Sequence, residues 1–183
     1  MTKAKIDRRI LKSQEAIKKA FMELMSAKDF DKITVKDICD GANVGNRTFY
    51  LHYLDKFDLL DKLIEEHLAE LKVICQQKKD KGLVEGTIIW FEYFEQNKSF
   101  FSPLFSSKGT ITFRNRFLQF VIDEIKEKVD LINGKNKGIS EEVFFRFLGM
   151  AIVGVMELYM LDVTPESTDS IAEQVSILLE RNL

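Results

Sequence analysis

Six side chains crowd into the seven positions from Asn46 to His52, and each could touch a nucleic acid: Asn46, Arg47, Thr48, Tyr50, Leu51 and His52. An amide, a guanidinium fork, hydroxyls and an imidazole supply donors and acceptors for base edges and phosphates, and a leucine tip suits a thymine methyl. Catalysis fits the chain less well. No Ser or Cys has a His at helical spacing, no phosphate-binding glycine loop stands out, and no Cys/His cluster has metal-ligand spacing. The sequence therefore predicts no enzyme, no metal and no cofactor. Cys39 and Cys75 stand apart in helical patterns and read as reduced thiols of a cytoplasmic protein.

The elements that must position these groups follow from hydrophobic spacing. Ile10, Ile17, Ala20, Phe21, Leu24 and Met25 form one face of a first helix, and Asp29 to Ile33 breaks the pattern. Thr34-Val35-Lys36-Asp37 resembles a capping box with Asp in place of Glu, opening a short helix with Val35, Ile38, Cys39 and Ala42 inward. Gly41 is expected to supply the turn after it, and Val44 to plug the angle. A further short helix is expected over about 46–53. It is too short to stand alone, so Phe49 and Tyr53 must pack inward and leave Asn46, Arg47, Tyr50 and Leu51 outside. Asp55 is expected to cap a long helix running towards Gln77, with Phe57, Leu60, Leu63, Ile64, Leu68, Leu71 and Ile74 inside. Two short helices around a tight turn have the layout of a helix-turn-helix, whose second helix fits the major groove of double-stranded DNA.

Charge follows the same division. Residues 1–60 hold 12 Lys/Arg and 9 Asp/Glu, a balance of +3, whereas the other residues hold 15 and 20, a balance of −5. A basic end on an acidic body fits one surface facing phosphate, or a solvated charged tail. Beyond a polar break at 78–82, taken as the domain boundary, helices are expected near 83–97, 99–106, 110–132, 140–162 and 166–181, with loops at 106–109 and 133–138. Thr164-Pro165 reads as a cap and first-turn proline. The most apolar run, 144–161, is interrupted by Arg146 and Glu157 and reads as a buried helix, so no membrane is expected. The expected fold is all-α: residues 1–56 as a DNA-binding domain, a connecting helix to about 77, and 78–183 as a second helical domain.

Residues 10–70 resemble the N-terminal domain of the TetR/AcrR family of bacterial repressors. The likeness runs from Ile33-Thr34 through Ile38, Ala42-Asn43-Val44 and Thr48-Phe49-Tyr50 to His52-Tyr53 and Asp55-Lys56. It departs at Gly45-Asn46-Arg47, where the family often has Ser, a basic residue and a small one, which leaves the operator open. The resemblance implies that Thr34 touches phosphate through its hydroxyl and the helix N-terminus, and that Lys36 lies near the backbone or a base edge. It implies base reading by Asn46 and Arg47, with Gly45 beside them. Thr48, Tyr50 and His52 would contact phosphates or thymine methyls, and Lys56 would hold a phosphate. Packing roles stand beside these: Tyr50 half-buried, His52 hydrogen-bonded to a neighbouring helix, Leu51 merely exposed.

The second domain is dense in aromatic residues. A plain helical core accounts for them, and the resemblance adds an apolar effector pocket, for which Trp90, Phe94, Phe101, Phe105, Phe113 and Phe117 are the candidates. The run from Trp90 to Lys98 weakly resembles a C-terminal class within the family. The last two long helices read as a dimer interface. Gly149, Ala151 and Gly154 would permit close approach, and Phe147, Val155, Leu158, Val175 and Leu178 supply apolar contact. The resemblance implies a four-helix bundle across a two-fold axis. The expected function is a homodimeric repressor released from its operator by an unknown small-molecule effector. The alternative is a co-activator or protein-interaction module of the same fold that does not bind DNA, against which the exposed Arg47 and the basic end weigh.

Overall fold

A first helix needs an apolar stripe and a place to stop, and the chain provides both. Helix α1 (Arg8–Ala27) buries Ile17, Ala20, Phe21 and Met25. The chain then turns through a short 3-10 segment, Phe30–Lys32, whose Phe30 ring sits edge-on to Phe21 at 6.2 Å. The computed structural model describes residues 8–77, 83–106, 111–127 and 136–182, without the side chains of 83, 84 and 111.

Helix α2 (Val35–Ala42) begins with a reciprocal capping box. Thr34 Oγ1 accepts from the Asp37 amide, and Asp37 accepts from the Thr34 amide. The turn after it is made by Asn43, in the left-handed conformation at φ 51°, and not by Gly41. Asn tolerates this conformation better than most non-glycine residues because its short polar side chain can hydrogen-bond to nearby backbone. Gly41 serves packing instead: a Cβ there would meet Ala20 Cβ at 3.2 Å, so the missing side chain lets α2 lie close on α1. Helix α3 (Asn46–Tyr50) is shorter than expected, ending before His52 and Tyr53. Helix α4 (Lys56–Gln77) opens under Asp55, whose Oδ1 accepts from the amides of Phe57 and Asp58 at 2.8 Å each. Leu59, Leu60, Leu63, Ile64 and Leu71 are buried, but Phe57, expected inside, is 53% exposed.

Helices α5 (Leu83–Gln96), α6 (Lys98–Ser106), α7 (Ile111–Lys126), α8 (Glu141–Met160) and α9 (Thr168–Asn182) complete the chain. Helix α5 packs along α9, and α7 along α8. Gly149 is required at the second crossing, since a Cβ there would meet Ile122 Cγ1 at 2.9 Å and Leu118 Cδ1 at 3.0 Å. Helix α7 is described to Lys126, and residues 128–132 of the expected helix lie outside the described residues. Pro165 lies ahead of α9 and not in its first turn, because Ser167, whose Oγ accepts from the Ser170 amide, opens that helix. The expected break at 78–82, and residues 107–109 and 133–135 of the expected loops, lie outside the described residues.

The fold is all-α, with no strand among the described residues. Two compact units, Met1–Glu66 and His67–Leu183, divide within α4, later in the chain than the expected 1–56. Helix α8 is long and apolar enough to cross a membrane by length and composition, and half of that stretch is buried within its own unit.

Candidate nucleic-acid interface

Helix α3 has five residues, too few to hold themselves in place. It is fixed from behind. Phe49 is fully buried, with Tyr53 at 5.5 Å between ring centroids. Burial, with help from the carboxylates of Glu66, Glu15 and Asp58, pushes the Tyr53 phenol up to about 12, so it stays neutral. In front of the turn, Val44 N–H donates to Cys39 O at 3.0 Å. Behind it, Asp58 accepts from the Leu54 amide and from Lys62 Nζ at 2.9 Å each, and Lys62 also donates to His52 O. The hydrogen bonds from Lys62 and the Leu54 amide hold the Asp58 carboxyl below its ordinary range. These bonds lock the short segment between α3 and α4.

The outward face is what remains. Asn46 and Arg47 are exposed, Tyr50 is 57% exposed and Leu51 73%. Among the described residues the side chains of Lys36, Asn46 and Arg47 have no hydrogen-bond or ion-pair partner. Gly45 precedes α3 with open space where a side chain would stand, so a large partner can approach the backbone there. Thr48 is half-buried.

Three residues of the expected site are arranged differently. The Thr34 hydroxyl proton goes to Asp37 Oδ2 at 2.7 Å, so the hydroxyl is already committed, while the first amides of α2 keep no intrahelical partner. Lys28 Nζ reaches the same Asp37 oxygen at 2.9 Å. The hydrogen bonds from Lys28 and Thr34 hold the Asp37 carboxyl well below the usual carboxylate range. The His52 ring is turned inward, its Nε2 at 3.0 Å from Ser13 Oγ on α1. The same hydroxyl lies 2.8 Å from Ile10 O. The Lys56 ammonium donates to the carbonyls of Phe30, Asp31 and Ile33 at 2.9, 3.1 and 2.9 Å. Sequence reasoning missed Lys28, Lys62 and Ser13, whose partners lie 9, 10 and 39 residues away along the chain.

In the second unit the six expected pocket rings are all buried. The five phenylalanines pack on each other: Phe94 on Phe101 at 4.2 Å, Phe94 on Phe117 at 4.8 Å, Phe105 on Phe113 at 5.1 Å, Phe113 parallel to Phe117 at 5.8 Å. Trp90 packs on Phe120, and its Nε1 donates to Cys75 Sγ at 2.8 Å. A polar group adjoins the rings. Tyr93 O–H lies 2.8 Å from His67 Nδ1 and 3.0 Å from Glu70 Oε2, and the His67 ring stacks on Phe100 at 4.4 Å. Burial and Glu70 push the Tyr93 phenol far upward.

Of the expected dimer residues, five share one groove, and Gly154 and Leu158 are not among its lining. Phe147, Ala151, Val155, Val175 and Leu178 line a groove of about 160 Å³ between α8 and α9. Phe147 is 66% exposed, and Met150, Leu158 and Leu178 are also exposed. Gly154 meets nothing within 4 Å, in contrast to Gly149. Val175 is the exception, buried within its own unit.

The profile of bacterial regulatory proteins, tetR family, matches residues 17–63, and that of a transcriptional regulator C-terminal region matches 83–181. An uncharacterized HTH-type transcriptional regulator of Bacillus subtilis, YxbF, is 40% identical over 67 residues, covering 36% of this chain and 18% of its own length. DhaS, the dhaKLM operon transcriptional activator of Lactococcus lactis, is 29% identical over 93 residues, covering 51% of this chain and 49% of its own. The matched stretches thus span half or less of those relatives. The crystal structure of a TetR transcriptional regulator from Streptococcus agalactiae superposes with a TM-score of 0.78 at 27% identity, covering 94% of this chain and 96% of that one.

Proposed function

The chain belongs to the TetR family of bacterial transcriptional regulators, and we propose from that premise that it binds operator DNA as a homodimer through α3 and the start of α2. One observation carries the reading: α3 is pinned by Phe49 from within, while Asn46, Arg47, Tyr50 and Leu51 stand free on its outer face. Arg47 suits guanine O6 and N7, Asn46 suits adenine, and the Leu51 tip suits a thymine methyl. Lys36 and the open amides at the α2 start supply phosphate contacts. Sequencing the genomic fragments retained by the purified protein tests this. Recovery of one palindromic motif is expected, and recovery of unenriched DNA overturns it.

The second copy is proposed to dock on the α8–α9 groove, burying Phe147, Ala151, Val155, Leu158 and Leu178 in a four-helix bundle. Exposed apolar side chains of this size, gathered on one face, need a partner surface. A dimer can then set two copies of α3 in successive major grooves, about 34–36 Å apart. Gly154→Asp is expected to yield monomers in sedimentation, and a wild-type monomer at micromolar concentration overturns the assembly.

The proposed sign of regulation is repression relieved by a small-molecule effector in the second unit, for which Trp90, Phe94, Phe101, Phe105, Phe113 and Phe117 remain the proposed lining. The five phenylalanine rings are in mutual contact, so an effector must part them and would favour a second conformer. A dimer seated on a promoter blocks polymerase by occupying it. DhaS, however, is named an activator, so transcription in vitro from the selected operator decides the sign. Reduced transcript supports repression; increased transcript replaces it with activation.

A further inference from the structure

The resemblance makes Lys56 a phosphate ligand, but its surroundings point elsewhere. An ammonium has three protons, and Lys56 Nζ has three carbonyl acceptors: Phe30 O at 2.9 Å, Asp31 O at 3.1 Å and Ile33 O at 2.9 Å. Its positive charge also lies 4.7 Å from the Phe30 ring centroid and 5.3 Å from that of Phe57, two rings that meet edge to face. The three carbonyls belong to the 3-10 turn and its C-cap, Ile33; Phe30 O also accepts from the Ile33 amide at 3.1 Å and uses its second lone pair for the lysine. Three carbonyl oxygens converging on one point repel each other unless a cation lies between them. Ile33, the last of the three, immediately precedes Thr34, the cap of α2. On the other side of that cap, Asp37 is tied to Lys28. The start of α2 is therefore held from two directions by two lysines, neither of which needs DNA to be in place.

We propose that Lys56 is a positioning residue and not a phosphate ligand: its ammonium closes the 3-10 turn and thereby fixes the N-terminus of α2. The functional consequence rests on the first unit being a DNA-binding head, where the α2 N-terminus presents free amides to a phosphate. Lys56 then acts on DNA through the backbone it holds. The exposed Phe57 ring also finds its use here, as one of two aromatic faces around the charge.

The test uses the full-length protein, a labelled random-sequence duplex as probe, and Lys56→Met, Lys56→Arg and Lys36→Ala. In the free wild type, the Lys56 ammonium should give a resolved proton–nitrogen signal, because hydrogen bonding to carbonyls slows its exchange with water. Lys56→Met should speed amide exchange across 33–38 about tenfold. It should weaken duplex binding while leaving the slope of log affinity against log salt unchanged. Lys36→Ala, the phosphate-facing control, should flatten that slope by about one unit per head. Lys56→Arg should fail to restore protection, because a planar fork cannot converge three donors from one nitrogen, whereas a phosphate ligand would tolerate arginine. The proposal is overturned if the ammonium signal is absent, or if Lys56→Met flattens the slope with exchange at 33–38 unaltered. If the wild type ignores the duplex at low salt, the DNA reading fails, while the ammonium signal and amide exchange still decide whether Lys56 closes the turn.

Discussion

Aromatic side chains at helical spacing build both units, and the two units use them in opposite ways. In the first, the rings meet in small groups, each with its own task. Phe49 anchors α3, Tyr50 stands out from it, and Phe30 and Phe57 flank a lysine. In the second, the rings serve one another. Phe94, Phe101, Phe105, Phe113 and Phe117 form a continuous packed cluster with centroids 4.2–6.3 Å apart. A surface that reads another molecule needs its side chains held from behind and left open in front. A core needs every ring touched on all sides, and density there is no sign of a cavity.

The comparison breaks first on deletion of a ring. Phe117→Ala and Phe49→Ala should each lower stability by about 3–5 kcal/mol in chemical denaturation, since both rings are fully buried. Their other effects should differ. Phe49→Ala should abolish duplex binding with the fluorescence of Trp90, the sole tryptophan, unchanged, while Phe117→Ala should shift that fluorescence. If Phe117→Ala proves neutral, the cluster is a loosely filled pocket after all. A smaller effect separates reading from packing: Arg47→Ala should leave the melting temperature alone and weaken operator binding by about 1–3 kcal/mol per half-site, relaxing one base position. Equal loss on operator and random DNA would demote Arg47 to a backbone contact.

The smallest effect concerns pH. The Asp37 carboxyl is held below its ordinary value by Lys28 and Thr34, so its contribution is complete above the unfolded carboxylate value of about 3.9. It is lost as pH falls from there towards the lowered folded value. Because the group is well exposed, the change is modest. Acid titration of amide exchange at 34–38 should show it in the wild type and not in Asp37→Asn. An identical profile in both would remove Asp37 from the latch.

Much of the first unit was legible because its signals are local. The capping box needs only Thr34 and Asp37, the inward ring of α3 is set by the four-residue step from Phe49 to Tyr53, and Asp55 caps the helix that begins beside it. Less was legible where a residue's partner is distant in sequence. Lys56 looks like any basic residue at a helix start until the carbonyls of Phe30, Asp31 and Ile33 are brought under it. His52 could face a phosphate or a neighbouring helix until Ser13 arrives from α1. Gly41 looks like a turn residue because glycine usually is one, but its close neighbour is Ala20 on α1. In the second unit composition announced the rings and could not say whether they enclose space, because a pocket and a core share the same residue types.

The two glycines of α8 bear on how substitutions in this protein would be scored. Gly149 faces α7 within its own subunit, so replacing it disturbs the isolated chain. Gly154 faces open space, and even a methyl there meets nothing in a lone subunit. A mutational survey selecting for folding alone would reject changes at the first and accept them at the second. One selecting for regulation through a dimer would reject both. The positions where two such surveys disagree would trace the footprint of the proposed partner along α8.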